Sequence, residues 1–237
     1  KPLVISIDDL NYYEYMISNG NVHKLILDDE GNIATYTLME DGKEHIAYDN
    51  EIITILDKFV EEHPDFSFEG AKGTIALTGY EGILGYRTDK DGMNSPNYEN
   101  EKAEAIKVAN RLKETGWSFA CHSYGHPDTA KISYEEFVED LDQWIKEVEP
   151  LIGPTNVYVY PFGASVTSSD PKFKYMQQNG FNIMCGVGDR EYTYFGADFI
   201  VLDRRHVDGI ALLKQPYELV DLFDPAEVVD SVRPPLN

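Results

Sequence analysis

Basic residues are scarce in this sequence, and that shortage narrows its possible partners first. It holds 20 lysine and arginine residues against 42 aspartate and glutamate residues, a formal net charge of −22 at pH 7. A field of that sign repels phosphate backbones and anionic lipid surfaces. We therefore expect neither nucleic acid nor an anionic membrane surface among the partners.

Long hydrophobic runs are also missing. No apolar stretch approaches the roughly 20 residues that a bilayer-spanning helix needs, so the sequence predicts no transmembrane segment. No charged-then-apolar leader opens the chain, which starts directly on the strand-like residues 1–5 (KPLVI). Such a start is compatible with a signal segment having been removed.

Cysteine and tryptophan are scarce, with two residues of each. Cys121 and Cys185 both lie in strand-like apolar stretches, which favours buried free thiols over a disulfide and does not fix the compartment.

Tyrosine, in contrast, is abundant, with 16 residues. A surplus of tyrosine is typical of sugar-binding clefts, because its ring stacks and its hydroxyl forms hydrogen bonds. Tyrosine that fills strands explains the surplus equally well.

The order of predicted elements indicates one α/β domain over residues 1–237 with an insertion at about 11–50. That segment has the pattern of a β-hairpin, with a turn at 28–32, followed by another short strand at 45–48. From Asn50, which can cap a helix, helices and strands alternate, and this alternation favours parallel strands wrapped by helices. Strands are predicted at 3–7, 73–78, 117–121, 157–160, 181–185 and 199–202. Helices are predicted from Asn50 to just before Pro64 and at 100–115, 133–148 and 170–179.

Polar side chains follow four of the predicted strands, where the functional groups of such folds gather. These groups are Asp8-Asp9, His122-Ser123-Tyr124-Gly125-His126, Pro161-Phe162-Gly163 and Asp203-Arg204-Arg205-His206.

The histidine pair and the aspartate pair together predict a metal site. Two neutral imidazoles, from His122 and His126, and one carboxylate leave coordination positions open for water, as in catalytic metal centres. Asp8 and Asp9 end an apolar strand, where adjacent carboxylates are costly unless a cation neutralises one of them. One acid can then bind metal while its neighbour transfers protons, provided that the backbone bends between them. Structural histidines and a carboxylate-decorated turn are the alternative interpretation.

The order of these motifs resembles the polysaccharide deacetylases of carbohydrate esterase family 4, which carry the NodB-like homology domain. Ser6-Ile7-Asp8-Asp9-Leu10 stands where the family has Thr-Phe-Asp-Asp-Gly. The His-Ser/Thr-x-x-His motif is matched in full by residues 122–126. The third motif, which resembles Arg-x-Pro-Tyr-Gly in the family, is represented by Tyr160-Pro161-Phe162-Gly163. The resemblance covers nearly the whole chain except residues 11–50.

This resemblance implies a distorted (β/α) barrel with an N-terminal β-hairpin insertion. It implies one divalent metal ion, zinc in most members with cobalt or nickel as substitutes, bound by Asp9, His122 and His126. Asp8 would be the general base, and the backbone N–H of Phe162 would hold the oxyanion. The implied reaction removes N- or O-linked acetyl groups from an acetylated glycan, at an extracellular or cell-surface location. The oligomeric state is not predicted.

Two departures from the family pattern lead to hypotheses about other residues. The arginine of the third motif is absent, and the late histidine motif is missing, since residues 210–215 contain no histidine. We therefore expect His206 to act as the general acid, and Arg204 or Arg205 to pair with Asp8. A surface position for His206, in an impaired or specialised protein, is the alternative.

Further residues near the motifs are candidates for supporting roles. By analogy with the family, Ser123 supports the histidine loop through hydrogen bonds. Tyr12, Tyr80, Tyr86 and Arg205 are predicted to contact the substrate, although ordinary loop packing also explains the tyrosines. Two other functions stay open: a related hydrolase of a non-sugar amide, and a catalytically weak, metal-containing carbohydrate-binding protein.

Overall fold

The structure of the protein is a computed structural model that describes residues 3–229. In chain order its strands are β1 (Ser6–Asp8), β2 (Lys24–Leu27), β3 (Ile33–Leu38), β4 (Glu44–Ala47), β5 (Gly73–Leu77), β6 (Trp117–Cys121), β7 (Val157–Val159), β8 (Ile183–Val187), β9 (Tyr192–Phe195) and β10 (Ile200–Arg204). Its helices are α1 (Glu14–Ser18), α2 (Ile52–Glu62), α3 (Tyr98–Glu114), α4 (Tyr134–Glu147), α5 (Glu149–Ile152), α6 (Pro171–Gln178), α7 (Gly209–Lys214) and α8 (Pro225–Val228).

The main sheet has seven strands in the order β1-β5-β6-β7-β8-β10-β9. All neighbours pair in parallel except β9, which is antiparallel to β10. Helix α3 packs on β6 and α5, and α4 packs on α5 and α6. The predicted α/β class, with parallel strands wrapped by helices, is confirmed. All six predicted strands of this sheet are present, and β9 was not predicted.

The two faces of the main sheet bury residues of very different size. The helix-covered face contributes to a large core that contains Trp144, Phe137 and Phe181. The other face carries a small cluster of buried residues: Ala76, Ala120, Val159 and Cys185. Because side chains alternate along a strand, it is the residue two positions further along that shares this face, as His122 does in sequence after Ala120.

Small residues on the second face allow the sheet to curl. Nη1 of Arg204, at the end of β10, lies 3.1 Å from the hydroxyl of Ser6 on β1. One arginine side chain therefore spans the two ends of the parallel array. No backbone pairing closes the sheet between residues 3 and 229, so in this part of the chain the predicted barrel is distorted and open.

The insertion predicted at 11–50 contains a separate antiparallel sheet in the order β2-β3-β4. Its first turn is held by Asp28, whose carboxylate accepts hydrogen bonds from the backbone N–H groups of Glu30 and Asn32 at 3.0 and 2.7 Å. The predicted hairpin is confirmed, and the strand predicted after it is β4. The assignment of the whole chain to a single domain stays a prediction.

One predicted helix cap is wrong by one residue. Glu51, not Asn50, caps α2, through a side-chain oxygen 2.7 Å from the N–H of Ile52. The amide oxygen of Asn50 instead accepts a hydrogen bond from the Thr35 hydroxyl at 2.7 Å, so it is not available for the helix. Among the residues described, no helix is long and apolar enough to cross a bilayer.

Candidate metal and catalytic site

Three side chains predicted as metal ligands meet at the carboxyl ends of β1 and β6. One ligand atom each from Asp9, His122 and His126 lies within 4.8 Å of the other two. Oδ2 of Asp9 is 3.7 Å from Nε2 of His126, and the two imidazole rings lie 4.9 Å apart between centroids. A carboxylate and two imidazoles this close together are a donor set that suits a divalent transition metal.

The backbone turns sharply in the loops that follow strands β1, β6 and β7. Asp9, Ser123, His126 and Phe162 all have positive φ angles, between 55° and 61°. The bend expected at Asp8-Asp9 is therefore present. Non-glycine residues in this region carry strain that the surrounding structure must hold in place, and such residues concentrate at functional sites.

Hydrogen bonds fix the histidine loop in this conformation. The hydroxyl of Ser123 accepts the backbone N–H of His126 at 2.9 Å, which is the kind of support expected of Ser123. The carboxylate of Asp140, on α4, accepts the backbone N–H groups of Tyr124 and Gly125 at 2.8 and 2.7 Å. No motif in the sequence pointed to Asp140.

The hydrogen bond of His122 determines which of its ring nitrogens is free. Nδ1 lies 2.8 Å from the carbonyl oxygen of Val159, and because a carbonyl can only accept, Nδ1 carries the proton. The lone pair is then on Nε2, the atom nearer to the aspartates. Burial, the largest influence on the His122 side chain, lowers its pKa. A neutral imidazole with its other nitrogen tied to a carbonyl is the usual form of a metal ligand.

Asp8 is bound by Arg204 in a two-pronged ion pair. The guanidinium donates to both carboxylate oxygens, at 2.6 and 2.9 Å. Burial raises the pKa of Asp8, but the hydrogen bonds and the positive charge of Arg204 outweigh burial, and the net pKa falls below the ordinary value of 3.8. Oδ2 of Asp8 lies 3.8 Å from Nε2 of His122. An ionised acid therefore borders the ligand cluster.

Of the two arginines considered as partners of Asp8, Arg204 makes the pair. Arg205 instead forms an ion pair with Asp221 at 3.0 Å. Its predicted contact with substrate is not supported, because its side chain is largely buried against its own partner.

Phe162 borders the cluster from the loop after β7. Its ring packs edge-on against His126, with centroids 4.5 Å apart, and is 72% exposed. Its backbone N–H donates to no acceptor among residues 3–229. This group is the one expected to hold an oxyanion.

Several other predicted site residues do not join this cluster. Tyr12 and Tyr86 are buried in the large core, and their contact with substrate stays a prediction. Tyr80 is half-buried and stacks on Tyr13 with centroids 4.4 Å apart. His206 is 68% exposed in its side chain and lies 3.5 Å from Asp208. No contact in the described part of the chain brings His206 to the three ligands.

The residue that sequence reasoning underrated is Tyr13. Its buried hydroxyl donates a hydrogen bond to Oδ1 of Asp9 at 3.0 Å. Position in a tyrosine-rich loop just after Asp9 was the only signal in the sequence, and it did not distinguish Tyr13 from Tyr12.

Part of the chain that contains the two histidines is similar to a known protein family. Residues 92–184 match the family model described as polysaccharide deacetylase. The matched range contains His122, His126 and the Pro161–Gly163 turn, while Asp8 and Asp9 lie outside it. This match covers less than half of the chain and shows a similarity to that family. The predicted family resemblance is thereby confirmed.

Solved structures similar to this chain share little sequence with it. A Mycobacterium smegmatis protein described as a polysaccharide deacetylase is 15% identical over 68% of this chain and 46% of its own, with a TM-score of 0.41. A Bacillus anthracis pseudoenzyme of family CE4 is 15% identical over 56% of this chain and 37% of its own, with a TM-score of 0.37. The chitin deacetylase of the fungus Colletotrichum lindemuthianum is 11% identical over 72% of this chain and 75% of its own, with a TM-score of 0.39. No curated protein matches the chain.

Proposed function

We propose that this protein is a metal-dependent hydrolase that removes acetyl groups from a carbohydrate. One observation carries the proposal: an ionised Asp8, held by Arg204, borders three clustered potential ligands, with its Oδ2 3.8 Å from Nε2 of His122. A free carboxylate beside two imidazoles and a second carboxylate is the set of groups that metal-assisted hydrolysis needs.

The donor set supports a divalent cation, with zinc as our first choice and cobalt or nickel as substitutes. Asp9, His122 and His126 would hold it, and three protein ligands leave a coordination position for substrate or water. When bound, such a cation supplies Lewis acidity to a carbonyl group and to water.

The remaining roles belong to residues around the ligands. Asp8 takes the proton of the attacking water as general base, and Arg204 keeps that carboxylate ionised and fixes its orientation. The backbone N–H of Phe162, which has no acceptor in the described structure, donates to the negative charge that develops on the acetyl carbonyl oxygen when water adds to the carbonyl carbon. The exposed ring of Phe162 covers one side of His126.

We place the substrate among acetylated glycans of cell walls or other extracellular polysaccharides. The match of residues 92–184 to the polysaccharide deacetylase family model supports this choice, and the abundant acidic residues argue against polyanionic substrates. The exposed position of His206 favours a second candidate, a metal-containing carbohydrate-binding protein with weak catalysis, because Asp8, once it has taken the proton of water, is the one acid that the described residues place beside the ligands.

Acetate release from acetylated chitooligosaccharides and acetylated xylan tests the proposal, with zinc or cobalt added and with a chelator as control. We expect release that the chelator abolishes and that falls by about 10²–10⁴-fold in Asp8→Asn, with zinc content unchanged. Glycan retention without acetate release, from protein that holds one zinc per chain, would favour the binding protein. Release that the chelator does not affect would overturn the metal-dependent mechanism.

A further inference from the structure

We propose that Tyr13 is a positioning residue that selects which oxygen of Asp9 faces the metal ligands. This inference rests on the proposed function, because it assumes that Asp9 binds a metal ion. It goes beyond that function in assigning a role to a residue outside the family motifs.

The two oxygens of Asp9 have different neighbours. Oδ1 accepts the hydrogen bond of the Tyr13 hydroxyl at 3.0 Å. Oδ2 lies 3.7 Å from Nε2 of His126. Because a carboxylate that holds one oxygen in a fixed hydrogen bond cannot rotate freely, the bond from Tyr13 presents Oδ2 to the ligand cluster.

The two hydrogen bonds of the Tyr13 hydroxyl run in one direction. The hydroxyl has a single proton, which it donates to Oδ1 of Asp9. The same hydroxyl is in hydrogen-bond contact with Oγ1 of Thr78, and this contact must then run from Thr78 to Tyr13. The result is a buried chain, from Thr78 through Tyr13 to Asp9, in which each hydrogen bond polarises the next.

The ring of Tyr13 is held rigidly enough to act in this way. It is fully buried and stacks on Tyr80, with centroids 4.4 Å apart and planes 6° apart, and on Tyr15, with centroids 5.6 Å apart. The buried Asn11 side chain donates to the carbonyl oxygens of Thr78 and Gly82, which ties the loop after β1 to the loop after β5. These contacts therefore fix the position of the Tyr13 hydroxyl.

A purely structural role for Tyr13 would require only one hydrogen-bond partner for its hydroxyl, and the hydroxyl has two. A buried tyrosine hydroxyl requires a hydrogen-bond partner, and Thr78 alone supplies one. The second contact, with the carboxylate of a ligand residue, is the feature that a structural role leaves unexplained. Groups that orient a metal ligand contribute to metal affinity, and their removal typically weakens binding by about 10–100-fold.

Zinc affinity, measured by competition with a chromophoric chelator, tests the role directly. We expect Tyr13→Phe to weaken zinc binding by about 10–100-fold. Tyr15→Phe is the matched control, since it removes a hydroxyl from the same ring stack without a hydrogen bond to Asp9 among the described contacts, and its zinc affinity should equal that of the unmodified protein. Equal affinity in Tyr13→Phe and Tyr15→Phe would overturn the proposal.

Two substitutions at Thr78 provide a second test that does not alter the ring. Thr78→Val removes the donor at the start of the chain while keeping the shape of the side chain, and should weaken zinc binding by less than Tyr13→Phe. Thr78→Ser keeps the donor and should restore the affinity, which a packing effect alone would not do. If Tyr13→Phe fails to fold, this pair decides: equal affinity in the valine and serine variants overturns the role.

The unmodified protein separates this inference from the proposed function. If it binds no zinc, cobalt or nickel, the metal site itself fails, and the role of Tyr13 fails with it. If it binds zinc while Tyr13→Phe and Thr78→Val bind equally well, the metal site stands and only the positioning role is lost.

Discussion

The two sides of the site differ in how firmly their side chains are held. On the ligand side, Asp9 is bound by Tyr13 and His122 by the carbonyl of Val159, both through hydrogen bonds from or to buried groups. On the other side, after β10, the His206 side chain is 68% exposed, and its described ion-pair contact is with Asp208. The side chains of the ligand side are therefore fixed by contacts within the protein, whereas the His206 side chain is exposed to solvent.

This difference separates two halves of an acetyl-transfer reaction. In the proposed reaction, Asp9, His122, His126 and Asp8 would serve the attack of water, which needs a base and an electrophile held in position. Departure of the leaving group needs a proton when that group is an amine. Preorganisation is therefore concentrated on the groups proposed to serve the attack of water.

Removing a ligand should have the largest effect. His126→Ala takes one donor from the cluster, and we expect zinc affinity and acetate release to fall well beyond the roughly 100-fold that loss of an orienting group costs. Phe162→Ala is a matched control for zinc affinity, because it removes the ring that packs on His126 but no donor atom. Zinc bound equally by His126→Ala and the unmodified protein would contradict the ligand assignment.

Removing the partner of Asp8 should have the next largest effect. In Arg204→Gln the carboxylate loses both hydrogen bonds and the adjacent charge, so its orientation loosens, and we expect kcat to fall by about 10²-fold. Arg205→Gln is the matched control at the neighbouring position, because Arg205 pairs with Asp221. An equal loss in both variants would show that general destabilisation, not the Asp8 pair, causes the effect.

The same variant has a pH signature. Arg204 lowers the pKa of Asp8, and a base works only when ionised, so the acid limb of the pH–rate profile should move to higher pH in Arg204→Gln. Stability follows the same sign: the pair contributes above the ordinary pKa of 3.8 and is lost as pH falls through the lowered value. An unshifted acid limb would mean that Asp8 does not limit the rate in this range.

How much of this site the sequence could predict depends on the range of each contact. Asp9, His122 and His126 could be predicted because each lies in a short motif at a strand end. Arg204 could be narrowed only to one of two adjacent residues, since the pairing with Asp8 crosses the curled sheet over a separation of 196 residues.

The surroundings of individual side chains in the loop after β1 could not be predicted from the sequence. Tyr12 and Tyr13 are adjacent in one loop and look equivalent in sequence, yet Tyr12 enters the core while the hydroxyl of Tyr13 reaches Asp9. The positive φ angles of Asp9 and Tyr12 decide which way each side chain points. No local pattern of residue types signals these angles, because glycine, which adopts them easily, is absent from both positions.

Substrate choice tests the asymmetry directly. An alcohol leaves from an ester with less need of a proton than an amine leaving from an amide, so a site without a positioned acid should favour O-acetyl groups. We expect kcat/KM for acetylated xylan to exceed that for N-acetylated chitooligosaccharides by about one to two orders of magnitude. Equal or faster release from the amide would show that an acid is supplied on the open side.

His206→Ala should have the smallest effect, and it decides what the open side contributes. Because the side chain is exposed and has no described contact with the ligands, we expect amide and ester turnover to stay unchanged, with zinc content as the control. A loss of about 10²-fold or more on the amide alone would contradict this and would identify His206 as the general acid. The segment after β10 would then have to move towards the ligands when substrate binds, so the open side would be completed by the substrate rather than left to solvent.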